Sequence, residues 1–167
     1  MTETKKNAKK YVKSIETPLG SLNLVADDRF LLYAAFGNEA GFPFPRERIV
    51  YQSNPILAQA EHELARYFAG ELRAFSVPFQ ISGTDFQKEV WQALTRIPYG
   101  QTMSYEAIAC QIGRPRSCRA VGQANNRNPL SIIVPCHRVI GKNGGLVGYG
   151  GGLDRKSWLL NLESQRI

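Results

Sequence analysis

Cysteine is scarce in this chain of 167 residues: Cys110, Cys118 and Cys136 are the whole set, and no two of them stand in C-x-x-C spacing. An odd number with that spacing argues against a disulfide framework and against a zinc knuckle. Histidine is scarcer still, with His62 and His137 alone. Cys and His could build a four-ligand cluster only by using nearly all of themselves, so no metal site is expected. No apolar run approaches the roughly 20 residues of a membrane span. Residues 1–10 are polar and lysine-rich without an apolar segment, so a disordered basic tail is expected there and a secretory signal is not. With reduced thiols, this places the protein in the cytoplasm. No glycine-rich loop follows a strand in the manner of a cofactor cradle, and no cofactor is expected. Acids are missing in one place above all: none occurs between Glu106 and Asp154, a stretch that holds Arg114, Arg116, Arg119, Arg127, Arg138 and Lys142.

The formal net charge is +7, and it is unevenly spread. Residues 1–82 hold 10 Lys/Arg against 9 Asp/Glu, whereas residues 83–167 hold 11 against 5. Two readings are open: a solvated basic face, or a surface that meets phosphate backbones through counterion release.

The first half reads as α+β. Tyr11–Thr17 and Ser21–Ala26 flank the tight turn Pro18-Leu19-Gly20, and Asp27-Asp28 precedes the apolar run Phe30–Phe36, which gives three strands in meander order. A helix follows, with Asn54 as N-cap, Pro55 at its first position and Gly70 past its end. Val77–Ile81 is expected as a short strand rejoining the sheet. His62, between two glutamates, reads as an exposed polar residue. The second half begins after Ser82-Gly83 and is mostly helical. Thr84 and Gln87 form a capping box, Ser104 caps a helix over 105–112, and Ser117 caps another over 118–125. The last two, joined by a short turn at Gly113, outline a helix-turn-helix. The last helix spans about 153–163.

Two constellations carry chemistry. The helix over 118–125 should expose Arg119, Ala120 and Gly122, small residues that let a backbone approach a groove beside one long cation; an amphipathic helix with an exposed arginine is the plainer alternative. The second constellation is Cys136-His137. Ile132, Ile133 and Val134 suggest a buried, strand-like approach, and Pro135 fixes the backbone before the thiol. Adjacent side chains of an extended segment point apart, so the imidazole is expected to act on the thiol through a water. An imidazole base needs an orienter. Glu163 falls on the apolar stripe of the last helix, where an acid is costly unless paired; an exposed helix-end carboxylate is the alternative. Cys110 and Cys118 read as small buried hydrophobes.

From Phe86 to Glu163 the chain resembles the DNA-binding and active-site domain of the O6-alkylguanine-DNA alkyltransferases. The residues that carry the resemblance are Pro98-Tyr99-Gly100, Ser104-Tyr105, Arg119-Ala120-Val121-Gly122, Asn128-Pro129, Ile133-Val134-Pro135-Cys136-His137-Arg138-Val139, Gly151-Gly152-Leu153 and Lys156-x-Trp158-Leu159-Leu160. The first half is similar only in its strand pattern and the turn Thr17-Pro18-Leu19-Gly20. The resemblance implies a ribonuclease-H-like sheet-and-helix domain over 11–82 and a DNA-binding and active-site domain over 83–167. It implies Cys136 as acceptor nucleophile, His137 as base acting through water, Glu163 as its orienter, Tyr105 as proton donor to the leaving guanine and Asn128 as a hinge. Arg119 would be the finger that enters the duplex as a nucleotide flips out. Ala120, Gly122, Ser104, Ser117 and Arg116 would lie against DNA, in the minor groove. Pro135, Val134, Val139, Tyr149, Gly150 and Lys156 would line the pocket. Gly150 stands where the family often has a serine, so backbone contact with the base survives there and side-chain contact does not. Some relatives hold zinc through N-terminal Cys and His; this first half has no cysteine, and no such site is expected.

The implied reaction is one irreversible transfer from O6-alkylguanine in double-stranded DNA, with O4-alkylthymine as a second candidate, performed by a monomer without cofactor. The product is a thioether, which thiol exchange does not reverse. A non-catalytic helix-turn-helix or alkyltransferase-like DNA binder is the alternative, opposed by Cys136. A cysteine hydrolase is opposed by the adjacency of Cys136 and His137.

Overall fold

The computed structural model describes residues 8–37 and 42–165, and its chain divides into two compact units at Gln80/Ile81. Most of the expected basic tail, residues 1–7, lies outside the described residues.

In the first unit, β1 (Lys10–Thr17), β2 (Gly20–Ala26) and β3 (Leu31–Phe36) form an antiparallel meander, with Ile15 opposite Leu22 and Leu24 opposite Ala34. The short β4 (Ile49–Val50) adds to β1 in parallel and gives the order β3-β2-β1-β4. The expected strand at Val77–Ile81 is instead a single bridge between Leu31 and Phe79, held by Leu31 N to Pro78 O and Gln80 N to Leu31 O. Pro78 has no N–H to extend a ladder there. Helix α1 (Pro55–Phe68) starts at Asn54, whose side chain accepts from Leu57 N, and buries Leu57, Ala60, Leu64 and Tyr67. Gly70 ends it at φ 75°, where its own N–H and that of Glu71 return to Tyr67 O and Arg66 O. The same face buries Glu63, whose carboxylate accepts from Ser76 N and Val77 N. His62 is exposed.

The second unit holds α2 (Asp85–Leu94), α3 (Tyr105–Gln111), α4 (Cys118–Asn126) and α5 (Leu153–Gln165). The Thr84–Gln87 capping box is complete, and Ser104 Oγ accepts from Ala107 N. Ser117 makes no side-chain cap bond, contrary to expectation; its backbone angles of −100° and 22° are not those of an N-cap in extended conformation. Trp91, 2% exposed, donates its indole N–H to Ala124 O and pins α2 to α4. Two short parallel strands, β5 (Met103–Ser104) and β6 (Val139–Ile140), pair Met103 with Val139. That pairing ties the start of α3 to the segment just after Cys136. Among the described residues no helix is long and apolar enough to cross a membrane.

Candidate active site

The approach to the cysteine is a tight turn rather than a strand. Val134 N donates to Leu130 O, Ile133 N to Ser131 O, and Ile132 sits at φ 73°. A β-branched residue in the left-handed region costs about 1–3 kcal/mol and persists only where its surroundings over-determine it. Here Asn128 does so. Its Nδ2 donates to Val134 O at 2.8 Å and Leu130 O at 3.3 Å, while its Oδ1 accepts from Leu130 N at 3.0 Å. Asn128 therefore shapes the loop that delivers the thiol. Pro135 then leads into a single 3-10 turn, Cys136–Arg138, in place of the expected extended segment.

All three residues of that turn are buried. His137 Nε2 lies 2.7 Å from Glu163 Oε1. Arg138 donates from Nε to Glu163 Oε2 at 3.0 Å and from Nη2 to Oε1 at 2.9 Å, while its Nη1 donates to Ile97 O at 2.6 Å. Gly100 N approaches Glu163 Oε2 at 3.4 Å. Burial by itself would raise the Glu163 carboxyl, but the bonds from His137 and Arg138 outweigh it and hold the group down at about 2. Of the two readings of Glu163, the structure has the paired one: the residue is 1% exposed. Burial keeps His137 below its usual range and neutral. A carboxylate opposite Nε2 makes that nitrogen the N–H donor, so Nδ1 carries the lone pair.

Burial pushes the Cys136 thiol up to about 11, against smaller pulls from the Asn128 amide and the Lys156 ammonium. The thiol form is therefore the resting one. Lys156 is fully buried, its ammonium drawn down to about 8 by that burial, and it donates to Val147 O at 3.0 Å and Gly148 O at 3.4 Å. Tyr105 donates to the same carbonyls, at 2.6 Å and 3.1 Å, and burial lifts its phenol to about 12. The two side chains thus clasp one stretch of the glycine-rich loop. Val134, Val139 and Tyr149 are buried around the thiol segment. Gly150 is exposed, and a Cβ there would stand 2.9 Å from Asn126 O, so this loop rests on the end of α4 more closely than any side chain allows.

On α4, Arg119 and Ala120 are exposed, as is Arg116 before it; Ser104 and Ser117 are half-buried. Gly122 does not face outward as expected. A Cβ there would meet the Tyr105 ring at 3.8 Å, so its face of α4 packs on α3. The acid-free stretch is less basic in space than in sequence. Arg138 is internal, Arg114 pairs with Glu89, and Lys142 pairs with Glu106. Cys110 and Cys118 are exposed rather than buried. Arg138 was missed as a partner of Glu163 because a cation beside a histidine reads as surface charge; its place inside an otherwise apolar run was the available clue.

The Glu163 shift has a consequence for stability. Its folded value of about 2 lies below the ordinary 4.5. A depressed carboxylate stabilises above the unfolded value and loses that contribution as pH falls through the folded one. Neutral His137 acts in the same direction below its ordinary 6.5. Urea midpoints should therefore fall steeply between about pH 4.5 and 2, by on the order of 3 kcal/mol from Glu163. A Glu163→Gln protein with the same acid slope would show that the carboxylate is not responsible.

Residues 85–165 match the family described as 6-O-methylguanine DNA methyltransferase, DNA binding domain, and residues 10–81 match its ribonuclease-like domain. The methylated-DNA–protein-cysteine methyltransferase of Methanosarcina acetivorans is 47% identical over 154 residues, 92% of this chain and 97% of that protein. The constitutive enzyme of that name from Bacillus subtilis is 46% identical over 157 residues, covering 92% and 94%. The crystal structure of Mycobacterium tuberculosis OGT in complex with DNA superposes with a TM-score of 0.84 at 46% identity, over 93% of this chain and 94% of that one. With both of its halves matched and close relatives along nearly its whole length, the chain belongs to the 6-O-methylguanine-DNA methyltransferase family.

Proposed function

We propose that this protein repairs O6-alkylguanine in duplex DNA directly, moving the alkyl group onto Sγ of Cys136 once the damaged nucleotide has turned out of the helix. The observation that carries this reading is the buried sequence thiol, imidazole, carboxylate and guanidinium at Cys136, His137, Glu163 and Arg138. A thiol at about 11 is almost wholly protonated at neutral pH, so a base must remove its proton. His137 Nδ1 takes it through a bridging water, and Glu163, neutralised by Arg138, steadies the imidazolium. Sγ attacks the alkyl carbon, the carbon–O6 bond breaks, and its electron pair returns to the purine. Tyr105 supplies the proton that makes the base a neutral leaving group. Its phenol and Lys156 first release the carbonyls of Val147 and Gly148, which hold the loop against the buried thiol. The products are guanine and S-alkylcysteine.

The exposed guanidinium of Arg119, one residue into α4, suits a side chain that fills the gap left by the extruded base. The reading places the protein in the cytoplasm, with access to DNA and reduced thiols. Incubating it with duplex DNA labelled on the O6-methyl carbon should move at most one label per protein, onto Cys136, by peptide mass analysis. Several labels per molecule, or none, would sink the mechanism. Arg119→Ala should keep its thermal stability but slow transfer from duplex by roughly tenfold or more, since unstacking a base costs a few kcal/mol. Transfer from duplex at the wild-type rate would remove Arg119 from the flipping step.

A further inference from the structure

The residues that follow α2, Ile97 to Gly100, are built around the buried ion pair of Arg138 and Glu163. Gln101 N donates to Pro98 O and closes a turn in which Gly100 stands at φ 78°, a conformation that suits glycine. That conformation brings Gly100 N to 3.4 Å from Glu163 Oε2. Just before the turn, Ile97 O accepts from Arg138 Nη1 at 2.6 Å. Between these two contacts, the guanidinium carbon of Arg138 lies over the Tyr99 ring, 5.7 Å from its centre, within the range of a cation–π attraction. Nε, Nη1 and Nη2 of Arg138 thus each donate to Glu163 or Ile97 O, and the aromatic ring meets the guanidinium from another side.

One carboxylate oxygen has two claimants. Glu163 Oε1 lies 2.7 Å from His137 Nε2 and 2.9 Å from Arg138 Nη2. The more firmly the guanidinium holds that oxygen, the less of its charge acts on the imidazole. On the repair reading proposed above, on which this inference rests, His137 must be neutral at rest and gain a charge only as it takes the thiol proton. Burial is the largest influence that keeps it neutral. Among the charged groups around it, Glu163 on α5 favours the imidazolium, whereas Arg138 on its own turn and Lys156 on α5 oppose it. A buried carboxylate facing the imidazole alone would favour the imidazolium before the thiol is engaged. We propose that Tyr99 is a positioning residue for the transfer: its ring fixes the Arg138 guanidinium on Glu163, so that the carboxylate is divided between Arg138 and His137 and the imidazole stays ready to accept a proton. The attraction resides in the face of the ring, so the hydroxyl is not needed for it.

The test follows single-turnover methyl transfer from an O6-methylguanine duplex between about pH 5 and 9 in wild type, Tyr99→Phe and Tyr99→Leu. The rate falls on the acid side as His137 becomes protonated, while Glu163, held at about 2, stays ionised throughout. Without the ring the guanidinium loosens. Its own opposition to the imidazolium weakens, and more of the carboxylate's charge reaches His137, so both changes raise the imidazole pKa. The acid limb of Tyr99→Leu should therefore move to higher pH by roughly half a unit or more. On the alkaline side, where His137 is neutral in every protein, the rates should agree within about twofold. Tyr99→Phe keeps the ring and should reproduce the wild-type profile. Tyr99→Met, which fills the space without an aromatic face, gives the same reading if the leucine variant does not fold. An acid limb that stays in place overturns the proposal, and so does a loss of rate by one factor at every pH, since the ring would then only pack. A phenylalanine variant that shifts as the leucine one does assigns the effect to the hydroxyl and overturns it too. Failure of the underlying repair reading looks different: wild type moves no methyl to Cys136 at any pH.

Discussion

Cys136→Ser will bind duplex DNA about as tightly as the native protein and transfer no methyl group to itself. Affinity for DNA comes chiefly from phosphate contacts, and the exposed cations that can make them include Arg116, just before α4, and Arg119, near its start. Exchanging sulfur for oxygen at a buried atom leaves them in place, so the dissociation constant should stay within roughly threefold of wild type at the same salt. Transfer, in contrast, needs a soft anion at that atom. Burial already pushes the thiol to about 11, which leaves on the order of one thiolate in ten thousand at pH 7 before the base acts. A serine hydroxyl is far less acidic, and neutral His137 is too weak a base to ionise it. Mass analysis after prolonged incubation with methylated duplex should show unmodified protein, while gel shifts show a normal complex. Methylated protein, or lost binding, would contradict the assignment of Cys136 as an acceptor separate from the binding surface.

What could be read from the sequence was what is local. The Asn54 and Thr84 caps and the β1–β2 turn are each set by residues within four positions of one another, and the structure has them. The motif around Cys136, the nucleophile proposed above, was legible for the same reason, because Pro135 to Val139 is contiguous. Glu163 could be suspected as an acid on an apolar stripe, a conflict that only a buried partner resolves. The rest depends on contacts across the fold. Ile132 is a local exception: its left-handed turn is held by Asn128 and Leu130 within four positions, yet a β-branched residue gives no sign of that conformation. The pairing of Met103 with Val139 joins segments of two residues each, too short for a periodic pattern. Gly122 looked like a small residue facing a groove, yet its neighbour is Tyr105 on another helix. Arg138 was counted with the surface cations because charge in a sequence carries no depth.

Arg138 is also where the largest loss of stability is expected. Arg138→Met should destabilise the protein by about 3–5 kcal/mol, the usual cost of removing one partner from a buried ion pair. The carboxylate of Glu163, 1% exposed in the native protein, would lose both guanidinium bonds and keep His137 and a long contact from Gly100 N among its donors, and Ile97 O would lose its 2.6 Å bond. Protonation could relieve the stranded charge, so the variant's acid sensitivity should move to higher pH as the Glu163 pKa climbs from about 2. Adding Glu163→Gln should restore part of the lost stability, because a neutral amide needs no counter-charge, while transfer stays slow because the imidazole has lost its orienting carboxylate. That pairing of effects separates the two duties of Glu163: as a structural anion it needs Arg138, and as a positioning group it needs His137. Urea denaturation of the two single variants and the double variant measures the first, and single-turnover methyl transfer measures the second. If Arg138→Met costs less than about 1 kcal/mol, the guanidinium is not what makes the buried carboxylate tolerable. If the double variant transfers methyl at the wild-type rate, Glu163 does not orient His137, and the base must be positioned by the 3-10 turn alone.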